Sequence, residues 1–278
     1  MNKILILGAG KVGTSLNIAL RSTGYSHVLM AGRQGEKDSE HGTDYHAGLS
    51  NELLAHVDLI FICVQDSKIA DTVNELRPFN LSGKKIVHTS GAYDSRILDP
   101  LRGKDAKTGS FHPIQTFPKK SLPLKIWNGI VCTYEGDKEN RQILSEICTR
   151  FNARLLPVTP EQKTALHLAA VVSANYMVAL FSWAENIISD AGIKKPPANE
   201  ILGNIIEQVA KNYKDKSAEN ILTGPLARGD SETIEKHLDY LKKNYPAKYS
   251  LLYKKMAELL LDDRRFNIPN RDKLEKLL

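Results

Sequence analysis

The sequence predicts an α/β protein: a doubly wound parallel sheet in the N-terminal half, then an all-α C-terminal domain. Three observations carry this reading. Apolar strand-like runs alternate with amphipathic stretches as far as Pro157, a glycine-rich turn joins the first strand to the first helix, and no strand-like run follows Val158. The expected domains are therefore residues 1–157 and 158–278.

The first element is the apolar run Ile4 to Leu7, suited to a buried strand. Gly8-Ala9-Gly10-Lys11-Val12-Gly13 then turns the chain into an amphipathic segment over 12–21. A G-x-G-x-x-G between strand and helix is the pattern that cradles a dinucleotide. Gly8 serves a tight turn, Gly10 lets backbone approach a pyrophosphate, and Gly13 permits close helix–strand packing. The anion would rest on the free N–H groups of the helix N-terminus. Further strands are expected over 27–30, 59–64, 85–89, 108–111, 129–134 and 153–157, with helices over 67–76 and 138–150. A long helix over 161–191 ends at Gly192, followed by Pro196-Pro197, and further helices are expected over 198–213, 230–244 and 247–261.

The cofactor type is read at the end of the second strand. An acidic residue there would bind the ribose 2′-hydroxyl of NAD. This chain instead has Arg33, 20 residues after Gly13, with no carboxylate in between. Arginine can hold a 2′-phosphate bidentately where a carboxylate would repel it. NADP is therefore expected over NAD, with Gly32 leaving room for the adenosine and Lys37 adding charge. The competing reading is an exposed loop arginine. Val64, Gln65 and Asp66 follow another strand and should run beside the cofactor, although Asp66 could equally cap the helix that starts at Ser67.

Three polar clusters could carry chemistry. His88-Thr89-Ser90-Gly91 and Phe111-His112-Pro113-Ile114-Gln115-Thr116 both follow strands, where ligand-contacting loops gather. Lys163 and His167, four apart, share a helix face, and Asn175 lies eight residues beyond His167, about 80° around an ideal helix. Hydride transfer to a carbonyl or imine needs a proton donor, and Lys163 or His167 is the candidate, since burial can bring either near neutrality. Ser90, His112 and Asn175 are candidate substrate contacts, against plain loop and core roles. In the turn Leu222 to Asp230, Asp230 or Ser231 can cap the next helix, which leaves Arg228 to hold a substrate carboxylate or phosphate, or to form a salt bridge.

Composition narrows the classes. The net charge of +6 is modest and its lysines are scattered without arginine–aromatic interleaving, which argues against nucleic acid. Cys63, Cys132 and Cys148 suit buried thiols rather than a disulfide framework, and no histidine–acid grouping suggests a metal. The chain opens on a strand, so no signal peptide is expected and a cytoplasmic location follows. Residues 165–183 are uncharged and nearly membrane-spanning in length, yet His167, Ser173, Asn175 and Ser182 favour a helix at the centre of a helical domain.

The segments GAGKVG, CVQDSKI, VHTSGA, FHPIQTF, Lys163-x-x-x-His167 with SANY, and TGPLARGD together resemble a group of Rossmann-like NADP oxidoreductases with a C-terminal helical domain of unknown function. The group is related to pyrroline-5-carboxylate reductase, ketopantoate reductase and the 6-phosphogluconate/β-hydroxyacid dehydrogenases. The resemblance spans nearly the whole chain and implies a Rossmann domain joined to a helical domain like that of 6-phosphogluconate dehydrogenase. Lys163 is similar to the catalytic lysine of the β-hydroxyacid enzymes, with His167 in the place of their asparagine. Ser90-Gly91 resembles their substrate-binding turn, with Ala92 where the 6-phosphogluconate enzymes have a second glycine. A homodimer is implied by analogy. The implied activity is hydride transfer between NADP(H) and a small polar carbonyl, imine or hydroxy acid. An NADP-binding sensor without catalysis is the alternative.

The cofactor assignment predicts that fluorescence titration gives markedly tighter binding of NADPH than of NADH. Equal affinities would remove Arg33 from the 2′-phosphate.

Overall fold

The computed structural model of the chain describes residues 3–32 and 44–278. Eight strands form one sheet: β1 Ile4–Leu7, β2 Val28–Gly32, β3 Asp44–Ala47, β4 Leu59–Ile62, β5 Lys85–His88, β6 Lys107–Pro113, β7 Val131–Gly136 and β8 Arg154–Pro157. Their spatial order is β3-β2-β1-β4-β5-β6-β7-β8, parallel throughout except where β7 runs antiparallel to β6. The segment from β6 to β7 carries only a short turn at Leu124–Trp127 and no crossover helix. It thus lacks the element that usually returns a strand parallel to its neighbour. β3, with the sequence DYHA, was not legible as a strand because it shows no apolar run.

Strand β1 shows why the sheet is buried on both faces. Ile4 and Ile6 join one apolar cluster, whereas Leu5 and Leu7 join the other, following the two-residue repeat of a strand. β4 divides likewise, with Leu59 and Phe61 on one face and Ile60 and Ile62 on the other. Each such side chain contributes about 1.5–3 kcal/mol on full burial. Helices α1 (Lys11–Ser22) and α5 (Arg141–Arg150) cover the first face; α2 (Asn51–Ala55), α3 (Ile69–Leu76) and α4 (Asp99–Arg102) cover the second. Trp127 is fully buried in the first cluster and donates its indole N–H to Ser15 Oγ at 3.0 Å.

After β8 the chain is helical: α6 Pro160–Ala170, a π-helical turn Val171–Asn175, α7 Tyr176–Asp190, α8 Ala198–Asp215, α9 Gly224–Ala227, α10 Ser231–Asn244, α11 Ala247–Asp262 and α12 Arg271–Leu277. A capping box starts α6. Gln162 N–H donates to Thr159 Oγ1 at 3.2 Å, Thr159 N–H donates to Gln162 Oε1 at 2.9 Å, and Pro160 occupies the first turn. The expected single helix over 161–191 is thus interrupted by one π turn. Asp230 caps α10 as expected, accepting from Thr233 N–H at 3.1 Å.

Two compact units form, Met1–Leu180 and Phe181–Leu278, so α6 and the π turn belong with the sheet. The second unit has its own apolar core around Ile234, Leu238, Leu261 and Leu274. Among the described residues, Pro160–Asp190 is long and apolar enough to cross a bilayer, with mean hydropathy 1.6. No residue of α7 is buried, and Leu168, Val172, Tyr176 and Val178 are exposed.

Candidate functional site

The first half of the site is the turn from β1 into α1. Gly8 has φ +109°, and a Cβ there would stand 2.8 Å from the Cys63 carbonyl oxygen, so only glycine fits. A Cβ on Gly13 would strike the Gly8 carbonyl, which accounts for the third glycine of the pattern. Gly10 is the N-cap of α1, with no side-chain cap and no acidic residue in the first turn. Ala9, Lys11, Val12 and Gly13 complete the turn, and the first backbone N–H groups of α1 are left to an anion.

Beside this turn lies a cavity of about 310 Å³, lined by Gly8, Ala31, Tyr45, Val64 and Thr72 among others. It has the size and apolar character for an adenosine. Gly32 also lines it, but the space above its Cα is filled by the Tyr45 hydroxyl, so its lack of a side chain accommodates Tyr45. Val64 borders the cavity, and Gln65 and Asp66 follow directly. The capping alternative for Asp66 fails: Asp66 opens a 3-10 turn whose N-cap is Gln65, without a side-chain cap bond. Arg33 and Lys37 lie outside the described residues.

The second half gathers Ser90, His112, Lys163, His167 and Asn175, all in the first unit. Lys163 is 3% exposed and donates from Nζ to the Ser90 carbonyl at 2.6 Å. Burial pulls its pKa down to about 8, opposed by the negative charges of Glu135, Asp66 and Asp94. Gly91 packs directly beneath two imidazoles, since a Cβ there would clash with His167 Nδ1 and stand 2.9 Å from His112 Cε1. The two rings meet edge to face, with centroids 5.7 Å apart. His112 Nδ1 donates to the Thr89 carbonyl at 3.1 Å. Its pKa falls to about 4, first through burial and then through the Lys163 charge.

His88, which sequence reasoning placed in a cluster without a task, organises the turn. Its Nδ1 accepts from Ser90 N–H at 3.2 Å while Nε2 donates to the Asp94 carbonyl at 3.1 Å. These bonds fix a neutral tautomer, and burial pushes its pKa to about 4. Ser90 Oγ accepts from Ala92 N–H at 3.1 Å and Tyr93 N–H at 3.2 Å. Its hydroxyl shapes the turn and its carbonyl meets Lys163.

His112, His167, Asn175, Gln115 and Thr116 line a second cavity of about 230 Å³. The π turn explains how Asn175 reaches it. One residue added to a helical turn removes about 100° of winding, which brings the ideal 80° offset back to within about 20° of His167. Arg228 belongs to the second unit, where it closes α9. Glu135, buried in β7, was missed; its only signal was an acid in an otherwise apolar run, VCTYEG. All three cysteines are free and buried as expected, and no grouping among the described residues could hold a metal ion.

With this geometry in view, family models match two consecutive parts of the chain. Residues 2–113 match a Rossmann-like domain and residues 130–259 match a domain of unknown function, DUF2520. A comparison with curated proteins finds no match. Among solved structures, protein TM1727 from Thermotoga maritima is 26% identical, with TM-score 0.72 over 93% of this chain and 97% of that one. A candidate NADP oxidoreductase from Bacteroides fragilis is 24% identical, with TM-score 0.71 over 92% and 96%. A reductive aminase from Aspergillus terreus, in complex with NADPH and ethyl-5-oxohexanoate, is 16% identical, with TM-score 0.66 over 100% of both chains.

The buried histidines set an acid limit on stability. Their folded pKa values, about 4, lie below the ordinary 6.5. Their contribution is therefore full above pH 6.5 and is lost as the unfolded chain takes up protons between pH 6.5 and 4. Each is worth up to about 3 kcal/mol at the low end. Urea unfolding across this range should show a shallower decline for His112→Asn than for the unaltered protein.

Proposed function

We propose that the protein is an NADP-dependent oxidoreductase, transferring a hydride between NADP(H) and a small polar carbonyl, imine or hydroxy-acid substrate. The observation that carries this reading is Lys163: a buried ammonium, held by the Ser90 carbonyl and shifted toward neutrality. The open N-terminus of α1 and the adjoining 310 Å³ cavity fit a dinucleotide, and Arg33 is assigned to a 2′-phosphate by its place in the sequence alone. The NADPH named with the Aspergillus terreus reductive aminase supports the same choice of cofactor. When bound, NADPH supplies the hydride.

The chain's own residues then do the rest. Lys163 gives its proton to the oxygen or nitrogen of the reduced substrate and is left as the neutral amine that burial favours. In the oxidative direction it takes the proton back. His167 is the alternative donor, placed over Gly91 beside His112. Ser90, His112 and Asn175 orient the substrate. At about 230 Å³ the second cavity lies below the about 300–1,000 Å³ of drug-sized ligand sites, which favours a small substrate.

A soluble, cytoplasmic homodimer completes the reading. Three free thiols suit a reducing compartment. Ile201, Ile205, Val209 and Tyr213 are exposed at four-residue spacing on α8, an apolar stripe that a second copy of the chain would cover.

Two experiments test this. Lys163→Met should lower turnover across a panel of keto acids, aldehydes and cyclic imines by about 100-fold or more, while NADPH affinity stays within about threefold. NADPH binding by the unaltered protein with no oxidation anywhere in such a panel would favour a sensor instead. Ile205→Arg should convert a dimer to a monomer in light scattering; a monomer before substitution would reject the dimer.

A further inference from the structure

A chain of hydrogen bonds and backbone runs from Glu135 to Lys163. Glu135 stands on β7, against which α6 packs, and both it and Lys163 are buried. Its two carboxylate oxygens accept from the backbone N–H and the hydroxyl of Ser95, the latter at 2.7 Å. Ser95 follows Asp94, whose carbonyl accepts from His88 Nε2; His88 Nδ1 accepts from Ser90 N–H; and the Ser90 carbonyl accepts from Lys163. Strand register sets His88, Ser110 and Glu135 side by side on one face of the sheet. All three are buried, so this polar row has no bulk water to screen its charge. Such a carboxylate, anchored at both oxygens, is costly unless a charge answers it.

We propose that Glu135 is a positioning residue of the site: it anchors the 88–95 segment that presents the Ser90 carbonyl, and its carboxylate keeps the Lys163 ammonium charged where no water reaches it. Burial drives each of the two groups toward its neutral form, lowering Lys163 and raising Glu135, and their mutual attraction opposes both shifts. The other groups facing Lys163 are Asp66, Asp94, His88 and His112, and both histidines are held neutral. Among the acids, Glu135 acts most strongly on Lys163. The catalytic meaning of this role rests on Lys163 as the proton donor.

The test reads Lys163 itself, without turnover. Carbon NMR of protein labelled with lysine at Cε gives the titration, with the Lys163 signal assigned by its loss in Lys163→Met. The midpoint, near 8 in the unaltered protein, should fall by about one unit in Glu135→Gln and by less in Glu135→Asp, which keeps the charge. An unchanged midpoint in Glu135→Gln overturns the proposal, whatever happens to activity. Should that variant not fold, Glu135→Asp carries the test: its shorter carboxylate stands farther from Lys163, so the Lys163 midpoint falls by part of a unit, and no shift there overturns the proposal. With NADPH, the alkaline limb of kcat should move to lower pH in Glu135→Gln while the cofactor affinity holds. If Lys163→Met leaves turnover intact, the donor assignment fails while the Glu135–Lys163 link is still decided by the titration.

Discussion

The contact on which the site depends is the bond from the buried Lys163 ammonium to the Ser90 carbonyl. A desolvated lysine is expensive, and the surrounding structure exists to make this one tolerable. The carbonyl faces α6 because His88 clamps the turn from both sides, by Ser90 N–H and by the Asp94 carbonyl. α6 in turn starts where it does because Thr159, Pro160 and Gln162 leave the chain little choice about where its first turn begins. The lysine is thus joined to the end of a sheet through backbone groups whose positions the strands determine.

The fold was legible in the sequence because its signals are local. The apolar run of β1, the glycines behind it and the alternation of elements each follow from backbone geometry within a dozen residues. The antiparallel β7 was not legible, since strand direction depends on what a connection does in space. β3 was missed for the opposite reason: DYHA pairs with β2 through its backbone and carries no apolar pattern to announce it. The glycine turn between β1 and α1 was readable residue by residue. The role of Gly32 was not, because Tyr45, the residue that fills its space, is distant in sequence.

The polar cluster shows the same division. Lys163 and His167 could be paired from helix spacing, and Ser90 and His112 from their places after strands. What spacing could not supply was the partner across the sheet. Glu135 reads as an oddity in an apolar strand until the register sets it beside Ser110 and His88. Asn175 came out on the His167 side through a π turn that ideal helical arithmetic does not contain. For Glu135 the missing information was the path of another segment; for Asn175 it was a turn within its own helix.

The π turn also separates two functions along one helix. Residues before it, Lys163 and His167, are held by the sheet end through the Ser90 carbonyl and Gly91. Residues after it are rotated as a block relative to the ideal helix. Adding or removing that single extra residue would swing Asn175 and everything beyond it around the axis while leaving the lysine untouched. The helix therefore offers a dial on the wall of the smaller cavity that is mechanically independent of the buried lysine, so a lineage could change the cavity's shape by one insertion or deletion without rebuilding Lys163 and its surroundings.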